Sequence, residues 1–271
     1  KKRFNIKWVA DWRDPWTGIY YFKLNPPGAL SLRLHKLLEK KVALNSDLNF
    51  TVSKHLAEQL PGRNNCVIYN GFDARKFDWA ASIEQKSHGT FKLKYVGNLT
   101  EGQQFRPLIE IIKTSLSDVD FRLVCVGTRL TTEQQGILEE LIPGKYECKG
   151  FLPHDEAIRE MADSEVLLLL INYYEGSQGM LTTKLFEYIA SKTPVLCLGP
   201  KGGEAEEIIT QYNAGACFYA GEKQAASEYL RGLHTLWQKG RGIKNKKDVS
   251  ALSSQNQALK LIEKLERLKR G

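Results

Sequence analysis

A chain of 271 residues is long enough for two cores, since domains run about 100 to 150 residues. With 42% hydrophobic, 26% charged and 10% aromatic residues it has the composition of a soluble globular protein, which excludes disorder and fibre. The net charge of +8 is concentrated: ten Lys and Arg against three acids lie between Lys239 and Gly271. The rest is nearly neutral, and a nucleic-acid surface spread over the molecule is excluded.

In chain order, Lys1 to Lys7 runs straight into a strand pattern without a long apolar core, so no signal peptide is expected. IKWVADW reads as a strand, residues 29–44 as a helix, LNFTVS as a strand, 54–60 as a helix and CVIYNG as a strand. Three strands make a poor sheet alone. The series over residues 1–77 therefore reads as the second half of a doubly wound domain, with on the order of 70 to 100 residues expected before Lys1. Residues 73–90 lack a period, and a linker is placed at 78–90. From Phe91 onward, short apolar runs (FKLKYVG, FRLVCVG, YECKG, VLLLLI, PVLCLG, GACFYA) alternate with helices starting near Pro107, Thr132, His154, Thr182, Gly203 and Lys223. That is the pattern of a parallel sheet with crossover helices, placed at 91–248. VLLLLI, apolar on both faces, belongs in its middle. Residues 249–271 read as an amphipathic helix with Ala258, Leu261, Ile262, Leu265 and Leu268 on one stripe, returning toward the N-terminal domain. Its basic back suits an anionic membrane surface or plain solvent.

The five cysteines (Cys66, Cys125, Cys148, Cys197, Cys217) are odd in number and contain no C-x-x-C. They read as buried reduced thiols of a cytoplasmic protein, possible contact with the inner face of a membrane aside. The longest apolar run, residues 166–171, is far short of a membrane span. Tyr20, Tyr21, Phe22 and Leu30 with Arg33, Lys36, Lys40 and Lys41 read either as a face resting on a membrane near a lipid-linked acceptor or as a core-facing helix with a basic outer side.

In an open α/β sheet, ligands bind beyond the carboxyl ends of the strands. The loops there carry Gly97, Asn98 and Arg106; Thr128 and Arg129; Phe151, Leu152, Pro153 and His154; and the stretch from Asn172 to Leu181 leading into Thr182, Thr183 and Lys184. A helix beginning near Thr182 presents unpaired N–H groups suited to a diphosphate, and Gly179 permits close backbone approach. Glu187, one turn in, would accept two ribose hydroxyls, with Lys184 at i−3. The alternative is a capped helix with a Glu–Lys surface pair. Asp11, Arg13 and Asp14 in DWRDPW follow the first strand and read as acceptor-orienting groups or as a local ion-pair lock. The single Asp-x-Asp, Asp118-Val119-Asp120, precedes a strand, at the wrong edge of the sheet for a ligand, so no metal site is expected. Gly97 to Gly102 lacks both G-K-[ST] and G-x-G-x-x-G.

GMLTTKLFEYIASKTPV followed by GGEAEEII, with WVADWRDPW, FTVSKHLAEQL and VIYNGFD upstream, resembles bacterial group 1 glycosyltransferases in that order along nearly the whole chain. The resemblance implies a GT-B type α/β fold: two doubly wound Rossmann-like domains, the N-terminal one incomplete and acceptor-side, the C-terminal one binding a nucleotide-sugar donor. It implies glycosyl transfer to a hydroxyl of a carbohydrate or lipid-linked acceptor, retaining, metal-independent and without a cofactor, in cell-envelope polysaccharide or glycolipid synthesis. Glu187 would hold the donor ribose, and Gly179, Met180, Leu181, Thr182 and Thr183 the diphosphate. Gly97 would be the glycine-rich turn, Arg106 a phosphate-neutralising cation whose fork bonds two oxygens, and Phe151 with Leu152 would lie against the base. Gly179 stands where many members carry a second glutamate, the nearest acid being Glu175, so the sugar stays unread. Asn98 stands where an arginine is common, leaving Arg106 with Arg129 or Lys184 as helpers. An epimerase of the same fold and a non-catalytic nucleotide-binding fragment are the rival readings.

Overall fold

The computed structural model describes residues 6–20, 22, 25–79, 89–100, 102–174 and 176–270. Tyr21, Glu175, the end of the Gly97 loop at Glu101, and most of the expected linker (80–88) lie outside the described residues. The chain forms two compact units, Lys1–Gly71 with Ala251–Gly271, and Phe72–Ser250.

In the first unit β1 (Val9–Trp12), β2 (Leu48–Thr51) and β3 (Asn65–Val67) form a parallel sheet in that order. The helices α1 (Ala29–Asn45) and α2 (Lys54–Gln59) are the crossovers, and Ser53 caps α2 by accepting from the Leu56 amide at 3.1 Å. All four residues of β2 are buried, and its one amide side chain is fully engaged. Asn49 accepts from the Trp12 indole at 2.8 Å and donates to Ala43 O at 3.0 Å and Asn65 Oδ1 at 3.1 Å, as a buried polar group must. The C-terminal helix, Ser254–Arg270, packs Leu261 and Leu268 on the cluster of Leu48, Phe50 and Ile68. Its buried line also contains Gln257, whose amide accepts from Tyr69 N at 2.9 Å and donates to Ala251 O at 2.8 Å. Ala258, Ile262 and Leu265 stay exposed. The apolar stripe read from the sequence is thus corrected in part: Leu261 and Leu268 pack, and a glutamine satisfied by backbone groups joins them in place of Ala258, Ile262 and Leu265.

In the second unit six parallel strands, β4 (Phe91–Val96), β5 (Phe121–Val126), β6 (Tyr146–Lys149), β7 (Val166–Leu170), β8 (Val195–Leu198) and β9 (Gly215–Phe218), lie in the order β6-β5-β4-β7-β8-β9. This is the doubly wound order expected of the alternating pattern. The crossovers are α3 (Phe105–Ser115), α4 (Thr132–Leu141), α5 (His154–Ala162), α6 (Thr183–Ala190) and α7 (Glu204–Gln211), and α8 (Lys223–Gln238) follows the last strand. The five residues of β7 are wholly buried, as their two-faced apolarity requires. Phe91, Leu93 and Tyr95 share a core with Leu108, Ile112, Leu230 and Trp237. Gly215, at φ +147°, lies where a Cβ would come within 2.0 Å of Val195 O, so only glycine lets β9 close on β8.

The alternate residues of β4 carry a surprise. Lys94 is buried among the helices, 2% exposed, and bonds Glu160 at 2.7 Å and Asp163 at 3.2 Å. Lys149 meets the other oxygen of Glu160 at 2.6 Å. Burial works against the ionised Glu160, but the two ammonium groups outweigh it and hold its carboxyl below the usual range. Removing either partner would strand a buried charge.

Candidate functional site

β4 and β7 are neighbours in the sheet, yet the chain leaves β4 toward β5 and β7 toward β8. The two connections diverge and open a crevice at the carboxyl ends of these strands, the place where doubly wound sheets bind ligands. The turn after β4 and the start of α6 meet there. Gly97 has φ +120°, and a Cβ on it would sit 2.7 Å from Lys184 Cδ, so the lysine stem passes directly over the glycine. The Lys184 ammonium donates to Tyr95 Oη at 2.7 Å and Asn98 O at 3.1 Å, and lies 4.7 Å from the Tyr95 ring centroid. No carboxylate is among these partners, and burial lowers the Lys184 pKa to about 8. Tyr95 in turn is pushed up by burial.

Backbone and side chains brace this corner. Tyr188 Oη accepts from Val96 N at 2.8 Å and donates to Val96 O at 3.1 Å, fixing α6 to the end of β4. Gln103 bridges the strand ends, donating to Leu170 O at 3.1 Å and accepting from Thr100 N at 3.1 Å. Tyr95, Gln103 and Tyr188 were missed by sequence reasoning. The signal for the two tyrosines was a polar tip on otherwise apolar positions, which buried tyrosines must satisfy; Gln103, in a polar loop, gave none.

Ahead of α6, a short 3₁₀ turn (Ser177–Gly179) leads through half-buried Met180 and buried Leu181 to the N-cap Thr182. The Thr182 hydroxyl is buried without a hydrogen-bond partner among the described residues. Thr183 is exposed. Glu187, in the second turn of α6, accepts from His154 Nε2 at 2.8 Å. His154 opens α5 directly after Phe151, whose ring is 90% exposed, half-buried Leu152 and Pro153. Gly97, Lys184 and the start of α6 are thus brought together, with Glu187 and His154 joined beyond them. Arg106 is not among them: its guanidinium forks onto Glu140 of α4 at 2.8 and 3.2 Å. The expected phosphate-neutralising cation is therefore engaged elsewhere in this structure, because a carboxylate within reach satisfies the same fork geometry. Asn98 and Arg129 are exposed.

In the first unit, Arg13 donates from Nε to Asp11 at 3.0 Å and from Nη1 to Asn70 Oδ1 at 3.2 Å, and all of Asp11, Arg13 and Asp14 are exposed. The Asp11–Arg13 pair is the local ion pair that the sequence allowed, and Asn70 is a partner that it did not reveal. Asp118 pairs with Arg231 at 2.6 and 2.7 Å, which holds its carboxyl well below the usual range, and Asp120 accepts from Thr90 at 2.9 Å. Among the described residues no three His, Cys, Asp or Glu side chains gather as a metal site would need.

Cys148 corrects the expectation of buried thiols. It is exposed, and sits opposite buried Cys125 in the register of β6 and β5. The Cys125 thiol donates to it and lowers its pKa to about 7, against the opposite effect of partial burial, while Cys125 itself rises. Iodoacetamide labelling followed by peptide mass spectrometry is expected to find Cys148 modified with a midpoint near pH 7. In Cys125→Ala the midpoint moves up toward the ordinary thiol value of about 8.5; an unmoved midpoint would show that the thiol pair does not set it.

The sequence profile of the family described as "Glycosyl transferases group 1" matches residues 80–248. No curated protein matches the chain significantly. Among solved structures, sucrose-phosphate synthase from Thermosynechococcus elongatus superposes with a TM-score of 0.69 at 17% identity, over 99% of this chain and 69% of that one. Anabaena HepE in complex with UDP and glucose gives 0.67 at 17%, over 95% and 71%. A glycosyltransferase from Rickettsia africae gives 0.72 at 14%, over 100% and 79%. At these identities the likeness concerns the fold, which is of the GT-B type. The family match spans the whole six-stranded sheet and the crevice at its switch point: the chain belongs to the group 1 glycosyltransferases.

Proposed function

We propose that the protein transfers a glycosyl unit from a nucleoside-diphosphate sugar to a hydroxyl of a carbohydrate or lipid-linked acceptor, with retention of configuration and without a metal or resident cofactor, in cell-envelope polysaccharide or glycolipid synthesis. The observation that carries this reading is the convergence at the switch point of a half-buried ammonium, Lys184, the amino end of α6, and the carboxylate of Glu187 three residues further along the same helix. A diphosphate fits the first two and a ribose diol the third. The amides of Gly179, Met180, Leu181, Thr182 and Thr183 hold the diphosphate with Lys184, and the Thr182 hydroxyl gains the partner it lacks. Gly97 lets Lys184 lie close, Asn98 and Arg129 line the approach, and Phe151 with Leu152 lie against the base. When the bond from the anomeric carbon to the diphosphate oxygen breaks, the charge gathering on that oxygen meets donors already in place. Asp14, with Asp11 and Arg13, serves the acceptor side.

Exposed Leu30, Leu34, Leu37 and Leu44 on α1, beside Arg33, Lys36, Lys40 and Lys41, support peripheral contact with an anionic membrane face. No helix among the described residues is long and apolar enough to cross a membrane. The test is a thermal-shift panel of UDP, GDP, ADP and their sugars, UDP first because HepE was solved with it. One base is expected to stabilise the protein by about 2.7 kcal/mol at a hundredfold excess over its dissociation constant. Mass spectrometry then follows sugar transfer to an acceptor; free epimer released without acceptor would overturn the reading.

A further inference from the structure

Glu187 is not alone in its corner. His154 Nε2 lies 2.8 Å from Glu187 Oε1, and on the other side of the ring the Lys76 ammonium lies 3.2 Å from Nδ1. Lys76 is held in turn by Asp155 Oδ1 at 2.7 Å. An ammonium only donates, so Nδ1 must offer its lone pair to Lys76, and the ring proton sits on Nε2, aimed at Glu187. The four groups come from the 3₁₀ turn Ala74–Lys76, the first two residues of α5 and the second turn of α6. They form a chain in which Lys76 donates on one side to Asp155 and on the other to His154, and His154 donates in turn to Glu187.

We propose that His154 is the positioning residue of the ribose subsite: by donating to one oxygen of Glu187 it fixes the plane of that carboxylate so that the remaining lone pairs face the two ribose hydroxyls. The inference rests on the reading of Glu187 as the ribose carboxylate. A glutamate side chain has three rotatable bonds, and freezing them before the ligand arrives removes an entropic cost from binding. Glu187 keeps ample capacity, since a carboxylate accepts at about four positions and His154 occupies one. Lys76 fixes the tautomer, and the rigid Leu152-Pro153 segment fixes where the ring begins.

The experiment measures calorimetric affinities of the full chain for UDP, GDP and ADP, each beside its 2′,3′-dideoxy counterpart, and reads the ratio of the two for the tightest-binding base. Glu187→Ala is the control and is expected to abolish the preference for ribose. In His154→Ala the preference falls about tenfold, as loss of one orienting charge-assisted bond implies, while affinity for the dideoxy nucleotide is unchanged. His154→Gln, whose amide nitrogen reaches the position of Nε2, restores the preference; His154→Asn, which reaches only Nδ1, does not. If His154→Ala keeps the wild-type ratio while Glu187→Ala loses it, the role of His154 is overturned and the ribose reading stands. If neither changes the ratio, the ribose reading itself fails. Equal weakening of ribo and dideoxy binding by His154→Ala shows a purely structural role and also overturns the inference.

Discussion

Replacing Glu187 with alanine is expected to weaken nucleoside-diphosphate binding by at least about a hundredfold, because two hydroxyl bonds to a charged group contribute about 1.5–3 kcal/mol each. The ligand-free fold should barely notice. Glu187 sits on the partly open side of α6, and the one hydrogen bond of its carboxylate among those described runs to a half-exposed histidine. The reading is therefore clean: unchanged melting without ligand, and loss of most of the ligand-induced rise. Glu187→Gln keeps the shape and one accepting oxygen and should fall between. A Glu187→Ala protein that is stabilised by nucleotide as strongly as the parent would remove ribose binding from this helix.

The second large effect concerns Lys184 and has a defined pH dependence. With its pKa lowered to about 8 by burial, the ammonium of the free protein loses its proton above that value. A bound diphosphate would hold the proton on, so binding takes up a proton in this range and affinity is greatest below about pH 8. Between pH 7 and 9 it should fall roughly tenfold. Stability of the ligand-free fold moves the other way: from about 8 up to the ordinary lysine value only the unfolded chain carries the proton, so unfolding becomes harder as pH rises through that window. Lys184→Met keeps an unbranched stem over Gly97 and removes the charge. It should bind nucleotide weakly and with no slope across the window, and calorimetry at several pH values decides the matter. A slope that persists in Lys184→Met would belong to some other group.

The positions of the strands and helices were legible because buried parallel strands announce themselves. VLLLLI has no polar residue to place outward, and each apolar run ends at a glycine or a turn. The crevice followed from the alternation alone, since a doubly wound sheet has its switch point where the fourth strand turns back beside the first. What stayed illegible was long-range side-chain pairing. Lys76, His154 and Glu187 are joined by hydrogen bonds across 78 and 33 residues, and no local period links them. Lys92 and Lys94 in FKLKYV alternate as if facing water, yet acids from α5 and the residue after it cover them. Arg106 shows the converse limit: a guanidinium reaches far enough to serve a phosphate or Glu140, and spacing along the chain does not choose between them.

The C-terminal helix completes a core that the first strands begin, its Leu261 and Leu268 closing on Leu48, Phe50 and Ile68. On a ribosome, which adds about 5–20 residues per second, those strands wait through synthesis of the entire six-stranded sheet before their last partner exists. The second unit can fold while still being made, and the first cannot. The first unit's three strands are then the segment a chaperone would hold, and a premature stop after Ser250 would release a finished six-stranded sheet attached to strands that lack Leu261 and Leu268.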